Sequence, residues 1–188
     1  ILKIMHLHLL RNTLFLVFGC IISIETCAET PLYSWNVHEL ARSPQETIKL
    51  RDERDRVLYT VYAKQMVYLY ATMKSIAVAS ETDAEFIIIN GSLPNAFAGD
   101  NEEGNGFVAI NFAMLDILNI NLDMAAALLG HELAHLKLKH GELSKERILL
   151  NNGKSLSAAN TRYSRDNERE ADYLGTIWAV EAGYDPNG

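Results

Sequence analysis

Two histidines and a glutamate in the middle of the chain have the spacing of a metal-assisted hydrolase. Residues 131–135 read H-E-L-A-H, an H-E-x-x-H pattern. A helical residue advances about 100° per step, so His131 and His135 fall on one face and both imidazoles can reach one metal ion. Glu132 lies on the adjacent edge of that face, where it can hold a metal-bound water without being a ligand itself. The pattern therefore predicts metal-assisted hydrolysis.

A second cluster further along the chain supplies the acids that two histidines need. Residues 167–172 read N-E-R-E-A-D, in which Glu168 and Asp172 are spaced i,i+4 and share a helical face. Small residues continue this face and would let the helix approach another closely, namely Ala171, Gly175, Ala179 and Ala182. Glu170 points roughly the opposite way. We predict that Glu168 is a ligand, that Asp172 accepts a hydrogen bond from the far ring nitrogen of a ligand histidine, and that Glu170 is solvated.

His131, His135 and Glu168 together make the ligand set of a catalytic zinc, one per chain, which takes three protein ligands and leaves a position for water. Glu132 is then the catalytic residue, activating the zinc-bound water as it attacks a peptide carbonyl and passing the proton to the leaving amine. The predicted function is a zinc-dependent endopeptidase. The alternative is a zinc-binding, chaperone-like or regulated protein with little proteolysis, but a structural zinc site has no use for Glu132 beside an open metal position.

His140 is a candidate for a third histidine ligand, and its position argues against that role. A metzincin site, H-E-x-x-H-x-x-G-x-x-H, would have glycine at 138 and histidine at 141, where this chain has Leu138 and Gly141. We instead expect His140 at the end of the active helix, favoured by the negative end of the helix dipole and followed by a C-terminal glycine.

The motifs resemble a known family. The runs 129–135 and 164–175, with the shorter segments 95–98, 106–110 and 182–186, are similar to the zinc metallopeptidase family of HtpX and the CAAX prenyl protease, over residues 85 to 188. Within that family the chain resembles the soluble, secreted branch typified by the periplasmic chaperone-protease BepA. The resemblance implies a zincin-like (gluzincin) fold, zinc on His131, His135 and Glu168, and Glu132 as the acid/base. In related enzymes further elements follow the Asp-Pro turn, so we expect the sequence to be a piece of a longer protein.

The N-terminal segment, residues 1–28, is typical of a secretory signal peptide. A weakly basic stretch precedes an apolar run from Leu14 to Ile24, which is too short to span a bilayer comfortably, and cleavage is expected after Ala28. The alternatives are an uncleaved anchor or a lipoprotein modified at Cys20. Both cysteines, Cys20 and Cys27, lie in this segment, so the mature chain cannot use a thiolate as nucleophile or ligand. We expect export to the bacterial periplasm and a metallopeptidase domain over residues 29–188.

Composition narrows the possible partners. A chain that is 48% hydrophobic and 22% charged is ordinary for one globular domain. The formal charge of −7 gives no footprint for nucleic acid. Beyond residue 24 no apolar run is long enough to span a bilayer, which argues against a membrane-embedded enzyme. We expect an extended or misfolded polypeptide as substrate, which suits protein quality control.

The elements that position these residues are expected to form an α+β fold. A long helix is predicted from about Pro44 to Ala79, its charged first part forming a solvated face. Short apolar runs predict strands at Phe86–Ile89 and Gly106–Asn111, with a hairpin turn before the second. Helices are expected at Phe112–Leu118 and Leu122–His140, the latter with Asn121 as N-cap. A small sheet then packs on the active helix, and the Glu168 helix packs against that helix.

Overall fold

The computed structural model describes residues 32–141 and 158–186, and the predicted signal segment lies outside them. Its elements combine short strands with longer helices, so the fold is α+β as predicted. They run in the order β1 (Ser34–Asn36), α1 (Val37–Ala41), β2 (Thr47–Arg51), β3 (Val57–Tyr62), α2 (Ala63–Ser80), β4 (Glu85–Ile89), β5 (Ala96–Asp100), β6 (Gly106–Asn111), α3 (Phe112–Leu118), α4 (Leu122–Lys137) and α5 (Ala158–Glu181).

The main sheet has four strands in the order β1-β4-β6-β5. The two central strands, β4 and β6, are parallel, while β1 and β5 pair antiparallel on the outside. Both central strands are apolar and buried, which suits strands covered on both faces. One face, including Phe86, Ile88 and Ile110, joins the core beneath the helices. The predicted strands at 86–89 and 106–111 are confirmed, and β5 completes the expected hairpin with β6.

The predicted helix over residues 44–79 is wrong in its first part. The charged run belongs to a two-stranded hairpin of β2 and β3, and the helix α2 begins only at Ala63. Ile48 and Leu50 are buried while Lys49 between them is exposed, an alternation of period two that favours a strand. The buried Asp52 closes the hairpin by accepting hydrogen bonds from the backbone N–H groups of Arg54 and Arg56 and from the Arg56 guanidinium.

The active helix α4 begins as predicted and ends earlier. The Asn121 side chain accepts a hydrogen bond from the Met124 N–H at 3.0 Å, which caps the N-terminus. The helix ends at Lys137, because Lys139 takes a left-handed φ of 54°. His140 and Gly141 follow this turn and are themselves helical, so the prediction of a single helix ending at His140 and stopped by Gly141 is wrong.

Helix α4 lies at the centre of the domain. Its residues Ala125, Leu129 and Leu133 are fully buried, and it contacts α2, α5 and the strands β5 and β6. Lys137, near its C-terminus, donates a hydrogen bond to the Ser80 carbonyl oxygen at the end of α2 and lies over the ring of Trp178 on α5. Among the helices that the structure describes, none is long and apolar enough to cross a membrane.

Candidate metal centre

The two histidines of the H-E-x-x-H run lie side by side on α4. Their Nε2 atoms are 3.0 Å apart, and their side chains are 19% and 14% exposed. This is the arrangement that i,i+4 spacing predicts for residues 131 and 135. The rings are edge to face, so both Nε2 atoms point to one place at the surface of α4.

A close crossing of α4 and α5 brings the second cluster to these rings. A Cβ atom on Gly130 would lie 2.6 Å from the Gly175 carbonyl oxygen, and one on Gly175 would lie 2.5 Å from the His131 backbone nitrogen. Only glycine at both positions allows the two backbones to approach so closely. Ala171 and Ala179, on the same face of α5, are buried as well. The predicted small-residue face is therefore the contact surface, and it sets the acids of α5 beside His131.

Glu168 completes a cluster of three potential ligands. Its Oε2 is 3.4 Å from His131 Nε2, and its Oε1 is 3.6 Å from His135 Nε2. One ligand atom from each of the three residues lies within 4.8 Å of the other two, and the described residues contain no other such group. Ligand atoms of a tetrahedral zinc are about 3.3 Å apart, because each lies about 2.0–2.1 Å from the metal. The observed separations of 3.0, 3.4 and 3.6 Å therefore fit a single zinc ion.

Asp172 lies on the far side of His131, where the sequence places an outer carboxylate. Its Oδ1 is 2.8 Å from His131 Nδ1. If His131 binds metal through Nε2, its proton lies on Nδ1, and this N–H donates to Asp172. The contact has the geometry that we expect if Asp172 supports a ligand histidine, and the role itself stays a prediction.

The Nδ1 atom of His135 contacts His140, a residue that the sequence predicts at the end of the active helix. His135 Nδ1 is 2.9 Å from Nδ1 of His140, whose side chain is only 6% exposed. Nε2 of His140 in turn is 3.6 Å from Oε2 of Glu170. Glu170 is exposed, as predicted, but its carboxylate faces His140 and is not simply solvated. No residue pattern predicts this contact, because a non-glycine residue, Lys139, makes the left-handed turn that directs His140 back to the site.

Glu132 is buried next to the cluster, with only 4% of its surface exposed. Burial and the neighbouring Glu168 charge raise its pKa to about 8, although the Ala98 backbone N–H donates to its carboxylate. Burial and the neighbouring His131 and His140 lower the pKa of His135 to about 4, so this ring is neutral at pH 7. A neutral imidazole can bind a metal, and a carboxyl with a pKa near neutrality can both accept and return a proton.

Comparison with known proteins agrees with this site. No curated protein and no solved structure matches the chain. The sequence model of peptidase family M48 matches residues 63–188, which is 126 of the 188 residues. The match begins with α2 and includes the H-E-x-x-H run, Glu168 and Asp172. Peptidases of this family are metal-dependent and cleave polypeptides, so the coarse prediction of a metallopeptidase is confirmed. The chain belongs to peptidase family M48.

Proposed function

We propose that this protein is a zinc-dependent endopeptidase with a zincin-like (gluzincin) fold. His131, His135 and Glu168 would hold one zinc ion, and Glu132 is the catalytic acid/base. The observation that carries the proposal is the convergence of the two Nε2 atoms and the Glu168 carboxylate beside a buried glutamate. When bound, zinc would polarise the scissile carbonyl and make water more acidic.

Glu132 moves the proton in this reaction. Its carboxylate accepts a proton from the attacking water and returns it to the amine nitrogen as the C–N bond breaks. Burial favours this exchange, because it brings the pKa of the carboxyl close to neutral pH. The Ala98 N–H holds the carboxylate in place from the neighbouring strand β5.

The substrate is an extended segment of polypeptide that adds to the sheet beside β5. Among the described strands, β5 is at the edge of the sheet and pairs only with β6. The contact between the Ala98 N–H and Glu132 supports this placement, because it puts the unpaired side of β5 next to the catalytic glutamate. Backbone hydrogen bonds to an edge strand bind extended chains of many sequences. Such binding suits misfolded polypeptides and a role in protein quality control.

The site of action that we propose is the bacterial periplasm, as in the secreted branch of the family. The support comes from residues 1–28, which have the pattern of a signal peptide and precede a metallopeptidase domain over residues 29–188. Both cysteines lie within that segment, so the domain itself needs neither a disulfide nor a reduced thiol.

Zinc content and casein hydrolysis of the purified protein, beside Glu132→Gln, test the proposal. We expect one zinc per chain in both proteins and a loss of hydrolysis of about 10²–10⁴-fold in the variant, because only the proton carrier is removed. Glu181→Gln, an exposed glutamate at the end of α5, is the matched control and should behave as wild type. Absence of zinc from the wild type would refute the ligand assignment. Zinc in both proteins without hydrolysis by either would favour the chaperone-like alternative.

A further inference from the structure

The two proposed ligand histidines have different partners at Nδ1, the ring nitrogen that would face away from the metal. His131 has a carboxylate, that of Asp172, directly at its Nδ1. His135 has the ring of His140 at the same position, at 2.9 Å, with the two rings edge to face at 71°. An acidic side chain of α5, Glu170, lies behind that second ring.

The positions of the ring protons on His135 and His140 follow from the assumption that His135 binds metal through Nε2. If His135 binds metal through Nε2, its remaining proton is on Nδ1, which donates to His140 Nδ1. His140 then accepts at Nδ1 and carries its own proton on Nε2. That N–H faces the Glu170 carboxylate at 3.6 Å. The His140 Nε2–H therefore faces a carboxylate at ion-pair distance, and the series from His135 through His140 ends on the negative charge of Glu170.

We propose that His140 is a positioning residue for His135, and that Glu170 holds His140 in the tautomer which this role requires. The inference rests on the proposed zinc site. An outer acceptor fixes the ring orientation and tautomer of a ligand histidine and raises its basicity. His140 does for His135 what Asp172 does for His131, through one extra ring.

The fold places His140 for this role. His140 comes after the end of α4, yet the left-handed turn at Lys139 returns its ring to that of His135, where the His140 side chain is only 6% exposed. The competing explanation is that His140 only fills space between α4 and α5. That explanation requires a ring of similar volume, whereas the positioning role requires an acceptor atom facing His135 Nδ1.

Two substitutions separate these explanations. In His140→Phe the ring volume is kept and the acceptor is lost, so we expect zinc affinity to fall by about 10–100-fold, as for other outer-shell changes. In His140→Asn the amide oxygen can accept at the place of Nδ1, so most of the affinity should return. Affinity is measured on the full chain by competition with a chelating dye, and far-UV circular dichroism of the chelated proteins checks that each is folded. An unchanged affinity in His140→Phe, or an equal loss in both variants, would overturn the proposal.

Glu170 provides a second test that does not disturb the buried ring. Glu170→Leu removes the carboxylate that faces His140, and because the contact is partly exposed we expect a loss of zinc affinity of about two- to fivefold. Glu170→Gln keeps an acceptor oxygen and is the matched control. Equal affinities of the two variants would contradict the role of Glu170, even if His140→Phe does not fold.

Nitrogen-15 NMR of the histidine rings in the zinc-loaded wild type reads the tautomer directly. We expect His140 to be protonated at Nε2 and bare at Nδ1, and the opposite tautomer would overturn the proposal. A wild type that binds no zinc would contradict both the proposed function and this inference. If the wild type binds zinc and His140→Phe binds it with the same affinity, this inference is contradicted and the proposed function is not.

Discussion

Three acidic residues of α5 meet different atoms of the histidine cluster. Glu168 faces the Nε2 atoms of His131 and His135, Asp172 faces His131 Nδ1, and Glu170 faces His140. Glu170 is two residues from both Glu168 and Asp172 along the helix, so its side chain leaves α5 in a different direction and reaches the cluster from another side. Substituting each acid should therefore weaken zinc binding through a different contact and by a different amount.

Asp172 should contribute to metal affinity without being a ligand. We expect Asp172→Ala to lower zinc affinity by about 10–100-fold, because the His131 ring loses the acceptor that orients it. Competition with a chelating dye measures the change. Asp166→Ala is the matched control, since this exposed aspartate is on the same helix and its carboxylate lies 3.5 Å from Arg169. Equal zinc affinities of the two variants would show that Asp172 does not support the site.

The raised pKa of Glu132 predicts how the stability of the chelated protein depends on pH. The pKa is about 8 in the folded chain against an ordinary value of 4.5, so between these values the folded state binds more protons than the unfolded state. Stability from this group is therefore fully present below about pH 4.5 and is lost as pH rises through 8. The Glu132→Gln variant has no titrating carboxyl at this position, so it should lack this pH dependence of stability.

Urea unfolding of both chelated proteins between pH 5 and pH 9 measures this effect, because the range includes the Glu132 pKa of about 8. Chelation is needed because a bound cation would add its own charge to the site. We expect the wild type to lose stability relative to Glu132→Gln as pH rises. Parallel profiles for the two proteins would mean that burial does not penalise the charged form of Glu132.

The sequence correctly predicted the relative positions of side chains that lie on the same helix. His131 and His135 on one face, Asn121 as N-cap and the shared face of Glu168 and Asp172 all follow from the helical repeat, and the structure has them in these places. His140 could not be placed in this way. Its position depends on a backbone turn at Lys139, and a lysine carries no local signal for a left-handed conformation.

At the scale of elements, the crossing of α4 and α5 determines whether the site can form. We expect Gly175→Ala to destabilise the protein by about 1–3 kcal/mol, because the added methyl group meets the backbone at His131. This cost opposes the advantage of alanine in a helix, which is about 1 kcal/mol. The forced separation should also move Glu168 away from the histidines and weaken zinc binding.

Urea unfolding and dye competition measure both effects. Thr176→Ala is the control, because Thr176 is the next residue on α5 and is exposed. A Gly175→Ala variant as stable as this control would show that the helices can separate without cost.

The polarity of each element explains whether it could be predicted from the sequence. The apolar runs of β4 and β6 are buried on both faces, so composition alone marks them as central strands. The hairpin of β2 and β3 was missed because its charges suit an exposed helix as well as an exposed strand. Only the alternation at Ile48, Lys49 and Leu50 distinguishes them, and pairing between strands confirms it.

At the scale of the whole molecule, the elements β1 and α1 precede the family match and pack against elements within it. The match begins at Ala63, but β1 (Ser34–Asn36) pairs with the central strand β4, and α1 packs on α2. Trp35 on β1 lies in the main core and contacts Phe112 with ring centroids 5.5 Å apart. The N-terminal elements therefore help to hold the sheet beneath the active helix.

The proposed zinc ion would join α4 to α5 and should stabilise the whole fold. Binding to the folded state alone adds about 2.7 kcal/mol when free zinc is 100 times its Kd. For a chain of this size each kcal/mol raises Tm by about 2–4 °C, so we expect chelation to lower Tm by roughly 5–11 °C. Adding zinc back should restore it.

Calorimetry of ligand and non-ligand variants identifies the source of this shift. Glu168→Gln should lose most of the zinc-dependent rise in Tm, because it removes the only proposed ligand on α5. Glu132→Gln should keep the rise, since its carboxylate handles a proton and does not hold the metal. A full rise in Glu168→Gln would mean that zinc stabilises the chain from another place, and the two helices would then not be joined through this cluster.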